Sequence, residues 1–168
     1  ISVLGEAQKL TLVEEYLQRM DTEGLQKDTY TFSAAITACE RSMEWQKALD
    51  LFESMAEKGV KANVVTLNAV LNACVKGRKW RVAMEKLANA RSVGISPDTI
   101  SYSSVITALG DANRLDLALK LFDEMDTDGG QKVLSAFTEK FGKKMKHSAK
   151  KKLVEKMMVL EGIEPIAW

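Results

Sequence analysis

One histidine, two cysteines and two prolines are all that 168 residues hold of the types that ligate metals, staple small folds or punctuate loops. His147 stands alone, and Cys39 and Cys74 are too far apart for a CxxC pair, so no metal site is expected. No stretch approaches the roughly 18 apolar residues needed to span a bilayer, and the amino terminus lacks the shape of a signal peptide. A glycine-rich phosphate loop is missing, His147 has no cysteine or serine motif to work with, and the carboxylates are scattered. These absences argue against an enzyme, a cofactor and a small-molecule substrate. The chain begins with Ile1 rather than methionine, which reads as a mature product or an excerpt, with any targeting segment missing.

What is present is an apolar content of 46% with 28% charged residues, the profile of a packed, helix-leaning protein of one ordinary domain length. The net charge of +1 conceals an uneven distribution. Residues 132–156 hold nine lysines against Glu139 and Glu155, a surplus of seven positive charges that leaves the rest of the chain at −6. A basic end that could meet phosphate or an acidic partner is thus attached to a mildly acidic body.

Sliding the sequence against itself by 35 places aligns Cys39 with Cys74, Trp45 with Trp80, and Ala48 with Ala83 and Ala118. The same shift aligns Ile36 with Leu71 and Ile106, Phe52 with Leu87 and Phe122, and Gly59 with Gly94 and Gly129. The units are 29–63, 64–98 and 99–133, preceded by a partial unit 1–28 and followed by a degenerate, lysine-rich hairpin over 134–168. Met157, Met158, Gly162 and Pro165 in that last segment echo the ends of the earlier hairpins.

Within a unit, apolar residues recur at three- and four-residue intervals twice, which predicts a helix hairpin. In 29–63 the first helix is expected from about Thr31 to Arg41 and the second from about Trp45 to Glu57, with Gly59 as a left-handed cap. Phe32, Ala35, Ile36 and Cys39 mark the apolar stripe of the first helix; Trp45, Ala48, Leu49, Phe52 and Met55 mark that of the second. Neither stripe can be buried by one hairpin, so the hairpins must stack. Phe137, Phe141 and Met145, four apart, predict a helix in the basic segment with lysines outward.

The strings TYTFSAAITACERSMEWQKALDLFESMAEKGVKAN, VVTLNAVLNACVKGRKWRVAMEKLANARSVGISPD and TISYSSVITALGDANRLDLALKLFDEM resemble pentatricopeptide repeats. LVEEYLQRMDTEGLQKD resembles the second helix and closing turn of one more. The resemblance covers about residues 1–130. The tetratricopeptide repeat, with its Gly and Tyr preferences in the first helix, fits less well, because Ile36, Leu71, Cys39 and Cys74 stand in those places.

The resemblance implies an all-α fold, a right-handed superhelical α-solenoid of stacked antiparallel helix hairpins. It implies single-stranded RNA as partner, in the RNA metabolism of a mitochondrion or chloroplast: processing, stability, splicing or translation. In that family one base is read per repeat by a first-helix side chain and the last residue of the unit. The matching pairs are Ser33 with Asn63, Asn68 with Asp98, and Ser103 with Val133. Family usage makes the first favour adenine and the second uracil. Val133 cannot hydrogen-bond through its side chain, so either the third unit reads no base or its boundary lies elsewhere. Base-stacking positions are filled by Tyr30, Val65 and Ile100, and phosphate positions by Arg41 and Lys76, with Asp111 opposing in the third unit. Lys143, Lys144 and Lys146 add a further phosphate-facing group.

Each signal has a plainer reading. Cys39, Cys74, Trp45 and Trp80 are expected to pack between repeats rather than to react or stack on bases. Without the family, Ser33 and Asn68 are ordinary helix-face residues and the lysine segment a solvated surface. The short array also fits a structural subunit of a larger organelle assembly, such as a ribosome or membrane complex.

Overall fold

The computed structural model describes residues 2–125 and 127–162, which form two compact units, one ending at Ser101 and the other beginning at Tyr102. Pro165 lies outside the described residues, while Gly162, the glycine expected at the end of the last hairpin, takes a left-handed φ of 75°. Among the described residues all regular structure is helical.

The first unit contains α1 (Ser2–Thr22), α2 (Thr29–Arg41), α3 (Trp45–Glu57), α4 (Val64–Lys76) and α5 (Trp80–Asn89), the last extended by a 3-10 turn over Ala90–Val93. Helix α6 (Thr99–Asp111) starts here and continues into the second unit. α2 packs on α3 and α4, and α4 on α5, as consecutive hairpins. Their shared core holds Phe32, Ile36, Met55, Leu67 and Leu71, all essentially inaccessible. Cys39 and Cys74 are buried and unpaired, and burial pushes both thiols up to about 11, which suits packing and not reactivity. Trp45 lies against Gly77, where an added Cβ would come within 2.6 Å of the indole. The aromatic ring of one hairpin thus occupies the space glycine leaves in the next, with Lys79 Nζ 5.1 Å above it.

Two kinds of turn recur. At the hairpin ends, Gly24, Gly59 and Gly94 take left-handed φ angles of 67°, 69° and 80°. The next N–H bonds back to the helix, as in Val60 N to Met55 O at 2.8 Å. Inside the hairpins the left-handed residue is not glycine: Met43, Arg78 and Asn113 have φ of 60°, 57° and 57°. Glu44 N donates to Cys39 O at 2.9 Å, Lys79 N to Cys74 O and Arg114 N to Leu109 O at 2.8 Å. A side chain in this conformation costs about 1 kcal/mol or more, least for asparagine. Met43 is 61% exposed and loses little packing on truncation. Met43→Gly is therefore expected to stabilise the fold by about 1 kcal/mol, and Asn113→Gly by less. Thermal unfolding of the two variants checks this, and an unchanged or lowered midpoint for Met43→Gly would refute it.

The partial unit 1–28 departs from the period. Residues 7–9, which correspond to the turn at 42–44, continue α1 without a break. Ala7, Gln8 and Lys9 are all strong helix formers, and one 21-residue helix forms.

The second unit contains the rest of α6, then α7 (Leu115–Glu124), α8 (Thr127–Phe141), a 3-10 turn over Gly142–Lys144, and α9 (His147–Leu160). α8 starts seven residues before the expected boundary at 134 and runs through it. Gly129, aligned by period with the caps Gly59 and Gly94, is accordingly a buried residue inside α8 and not a cap. Helices α7 and α9 are joined by the ion pair of Asp123 with Lys156. Its 33-residue separation equals that of Glu14 with Lys47 and Glu53 with Lys86 in the first unit. α9 thus relates to α7 as the second helix of one hairpin to that of the next. Phe137 is buried edge-on against Phe122 at 5.8 Å and stacks obliquely on Phe141 at 4.8 Å, with the neighbouring lysines outward.

Candidate nucleic-acid interface

The expected base-reading residues begin as helix starts. Asp28, Asn63 and Asp98, 35 apart, precede α2, α4 and α6, and each accepts from the N–H three residues on: Thr31 at 2.8 Å, Thr66 at 3.0 Å and Ser101 at 2.9 Å. A D/N-x-x-S/T pattern ahead of an apolar run specifies these caps. Burial raises the Asp98 carboxyl, but the N–H of Ser101, the amide of Asn68 and the hydroxyl of Ser101 together hold it below the usual carboxylate range. It is ionised at neutral pH.

In the second pair the two side chains meet. Asn68 Nδ2, on α4, donates to Asp98 at 3.2 Å to Oδ1 and 3.4 Å to Oδ2, across 30 residues of chain. Asn68 Oδ1 accepts from the Ser101 hydroxyl at 2.5 Å. One N–H of the Asn68 amide and part of the Asp98 carboxylate remain for an incoming group.

In the first pair they do not meet. Ser33 gives its hydroxyl proton to the Thr29 carbonyl at 2.8 Å, and Asn63 Oδ1 is held by the Thr66 N–H. What is left is an acceptor on Ser33 Oγ and a donor on Asn63 Nδ2. The third pair is placed differently: Ser103 is half-buried on α6, and Val133 is buried inside α8 rather than in a loop before a helix. The period placed a reading position there, but α7 gives way to α8 after only two residues.

Tyr30, Val65 and Ile100 are 81%, 58% and 57% exposed, a column of large apolar side chains left to solvent at the start of successive first helices. Tyr30, Ser33 and Arg41 share one groove of about 560 Å³ between α1 and α2, with Leu12 and Lys9 opposite. Tyr30, Ser33 and Arg41 thus open onto a single cleft, which Glu6 also lines and Asn63 does not. Lys76 differs, for its Nζ is 2.9 Å from Glu40 Oε1. An exposed pair of this kind contributes about 0–1 kcal/mol, so phosphate can share or displace it.

Lys143, Lys144 and Lys146 are exposed around the turn between α8 and α9. Lys144 and Lys146 line a cavity of about 590 Å³ that also contains Asp111 and Asp116, which offset part of their charge. Among the described residues no three metal-binding side chains cluster, and no helix is long and apolar enough to cross a membrane.

A pentatricopeptide repeat domain model matches residues 15–78 and 50–114, and a PPR repeat model matches 100–130. No curated protein matches the chain. Among solved structures, the PPR domain of Arabidopsis thaliana protein-only RNase P 1, in complex with tRNA, superposes with a TM-score of 0.68. Identity is 14%, over 91% of this chain and 82% of that one. The maize pentatricopeptide repeat protein PPR10 superposes with a TM-score of 0.70 at 20% identity, over 91% of this chain. The same protein in complex with an 18-nucleotide psaJ RNA element gives 0.63. The chain spans less than a quarter of PPR10. The likeness fixes the fold class as the all-α solenoid of stacked helix hairpins.

Proposed function

Because the chain belongs to the pentatricopeptide repeat family, we propose that it binds single-stranded RNA along its first helices, one base to each complete reading pair. The observation that carries this is the Asn68–Asp98 contact. A neutral amide and an ionised carboxylate are held side by side with hydrogen-bonding capacity unspent, next to the exposed Val65 and Ile100. A base slipped between such apolar side chains would meet a donor and an acceptor at its edge.

Uracil fits the second pair: its N3–H suits the carboxylate and a flanking carbonyl suits the amide N–H. Adenine fits the first, N1 accepting from Asn63 Nδ2 and the exocyclic amine donating to Ser33 Oγ. Tyr30 supplies a stacking platform of about 1–3 kcal/mol, and Arg41 meets the backbone phosphate. Lys143, Lys144 and Lys146 add sequence-independent attraction. Family membership supports a mitochondrial or chloroplast setting, where the bound RNA would be processed, stabilised, spliced or translated. Catalysis is no part of this reading.

Binding to short RNAs that differ at single bases, at two salt concentrations, tests it. Base-dependent affinity is expected, and Arg41→Ala should weaken all RNAs alike and reduce the salt slope by about 1. With two complete pairs and a third unit that ends without one, a structural subunit of a larger organelle assembly is the competing reading. Absent or base-indifferent binding would favour it.

A further inference from the structure

Among the described residues of the first unit, the fully buried polar side chains are Thr66 and Ser101, the third residues of successive units. Their hydroxyls have different uses. Thr66 Oγ1 stays within its own cap, 2.7 Å from the Asn63 carbonyl. Ser101 Oγ receives the Asp98 N–H at 3.2 Å, and its proton goes across to Asn68 Oδ1 at 2.5 Å, with Asp98 Oδ1 at 3.0 Å. Thr66 has no comparable neighbour, since Ser33 is too short to leave its own helix and bonds to Thr29 instead.

We propose that Ser101 is a positioning residue for base selection by the preceding unit, 64–98. This rests on the RNA-binding reading above. An asparagine amide is nearly symmetric in shape, and only its partners decide which end is donor and which is acceptor at a given place. Asn68 has two anchors: the Asp98 carboxylate takes one N–H, and the Ser101 hydroxyl occupies Oδ1. Both ends are thereby assigned, and the group left for a base is a donor. Removing the Ser101 hydroxyl leaves Oδ1 vacant as an acceptor and the amide held at one end only. The side chain can then turn to satisfy a base donor or a base acceptor. The reading pair of one repeat is completed by a buried residue of the next.

The test compares the full chain with Ser101→Ala and Ser101→Thr on RNAs that differ only at the base facing the 64–98 unit. The unmodified chain is expected to prefer uracil by about tenfold. Ser101→Ala should compress that ratio to about twofold, mainly by binding the disfavoured bases better, and Ser101→Thr should restore it. A purely structural role predicts equal weakening for every base, and that result, or an unchanged ratio, would overturn the proposal. Asn68→Ala separates the two levels. Loss of discrimination in Asn68→Ala but not in Ser101→Ala defeats this inference alone, whereas no discrimination in the unmodified chain defeats the RNA-reading proposal itself. If Ser101→Ala does not fold, Ser101→Cys, similar in size but a weak donor, carries the same comparison.

Discussion

Phe137→Ala is expected to abolish hydrogen-exchange protection in α8 and α9. The ring is 4% exposed, meets Phe122 edge-on and Phe141 obliquely, and sits with Phe141 against Gly110, where a Cβ would approach the rings to 2.5–2.8 Å. Glycine on α6 lets the helices come close, so truncation of Phe137 opens a cavity that a neighbouring side chain cannot fill. Such a change costs about 3–5 kcal/mol. A unit of this size has on the order of 3–9 kcal/mol in hand, so the loss is comparable to the whole. Hydrogen exchange on peptides from 127–160 reads the effect directly. Protection retained to within a factor of a few would show that the basic hairpin is held by something other than this aromatic cluster.

Exchanging the second reading pair for the first, Asn68→Ser with Asp98→Asn, is expected to move base preference in that unit from uracil to adenine, by about tenfold in relative affinity. Serine replaces a fixed donor by an acceptor once its hydroxyl turns to the helix backbone, as Ser33 does to Thr29. Asparagine keeps the cap that Asp98 provides and exchanges an ionised acceptor for an amide donor, as Asn63 presents. Asp98→Ala is the poorer probe, because losing the cap costs about 0.5–2 kcal/mol and confounds binding with folding. Competition between uracil- and adenine-bearing RNAs decides the matter. A preference that stays with uracil would mean that discrimination lies outside these two side chains.

Much of this was legible in the sequence because a repeat states each structural demand several times. Apolar spacing located both helices of the 29–63 hairpin, and Gly59 and Gly94 marked real left-handed caps. Gly129 misled because period alone cannot tell a glycine that ends a helix from one within it. Beside it, Gly130 has Leu160 methyls 3.7 Å from where its Cβ would be, a packing partner 30 residues further along the chain. Val133 followed from the same error. Of the left-handed positions 43, 78 and 113, only Asn113 is a residue type that favours that angle; what locates Met43 and Arg78 is the hairpin geometry. In the candidate site, the family resemblance paired Asn68 with Asp98, whose side chains do meet, but was silent on Ser101. Its partner lies 33 residues back, and nothing in a short serine announces a reach into another repeat. The Lys76–Glu40 pair was equally silent, being a contact between neighbouring first helices.

On the proposed RNA-binding reading, the residues that close units 29–63 and 64–98 would face a base as well as begin a helix, and this narrows what specificity can evolve. A helix start tolerates asparagine, aspartate, serine and threonine and penalises nearly everything else. Any drift in base preference at positions 63 and 98 is thus confined to a small alphabet of polar side chains, all of which keep the chain folded. New RNA targets become accessible through single substitutions that selection for stability would not remove.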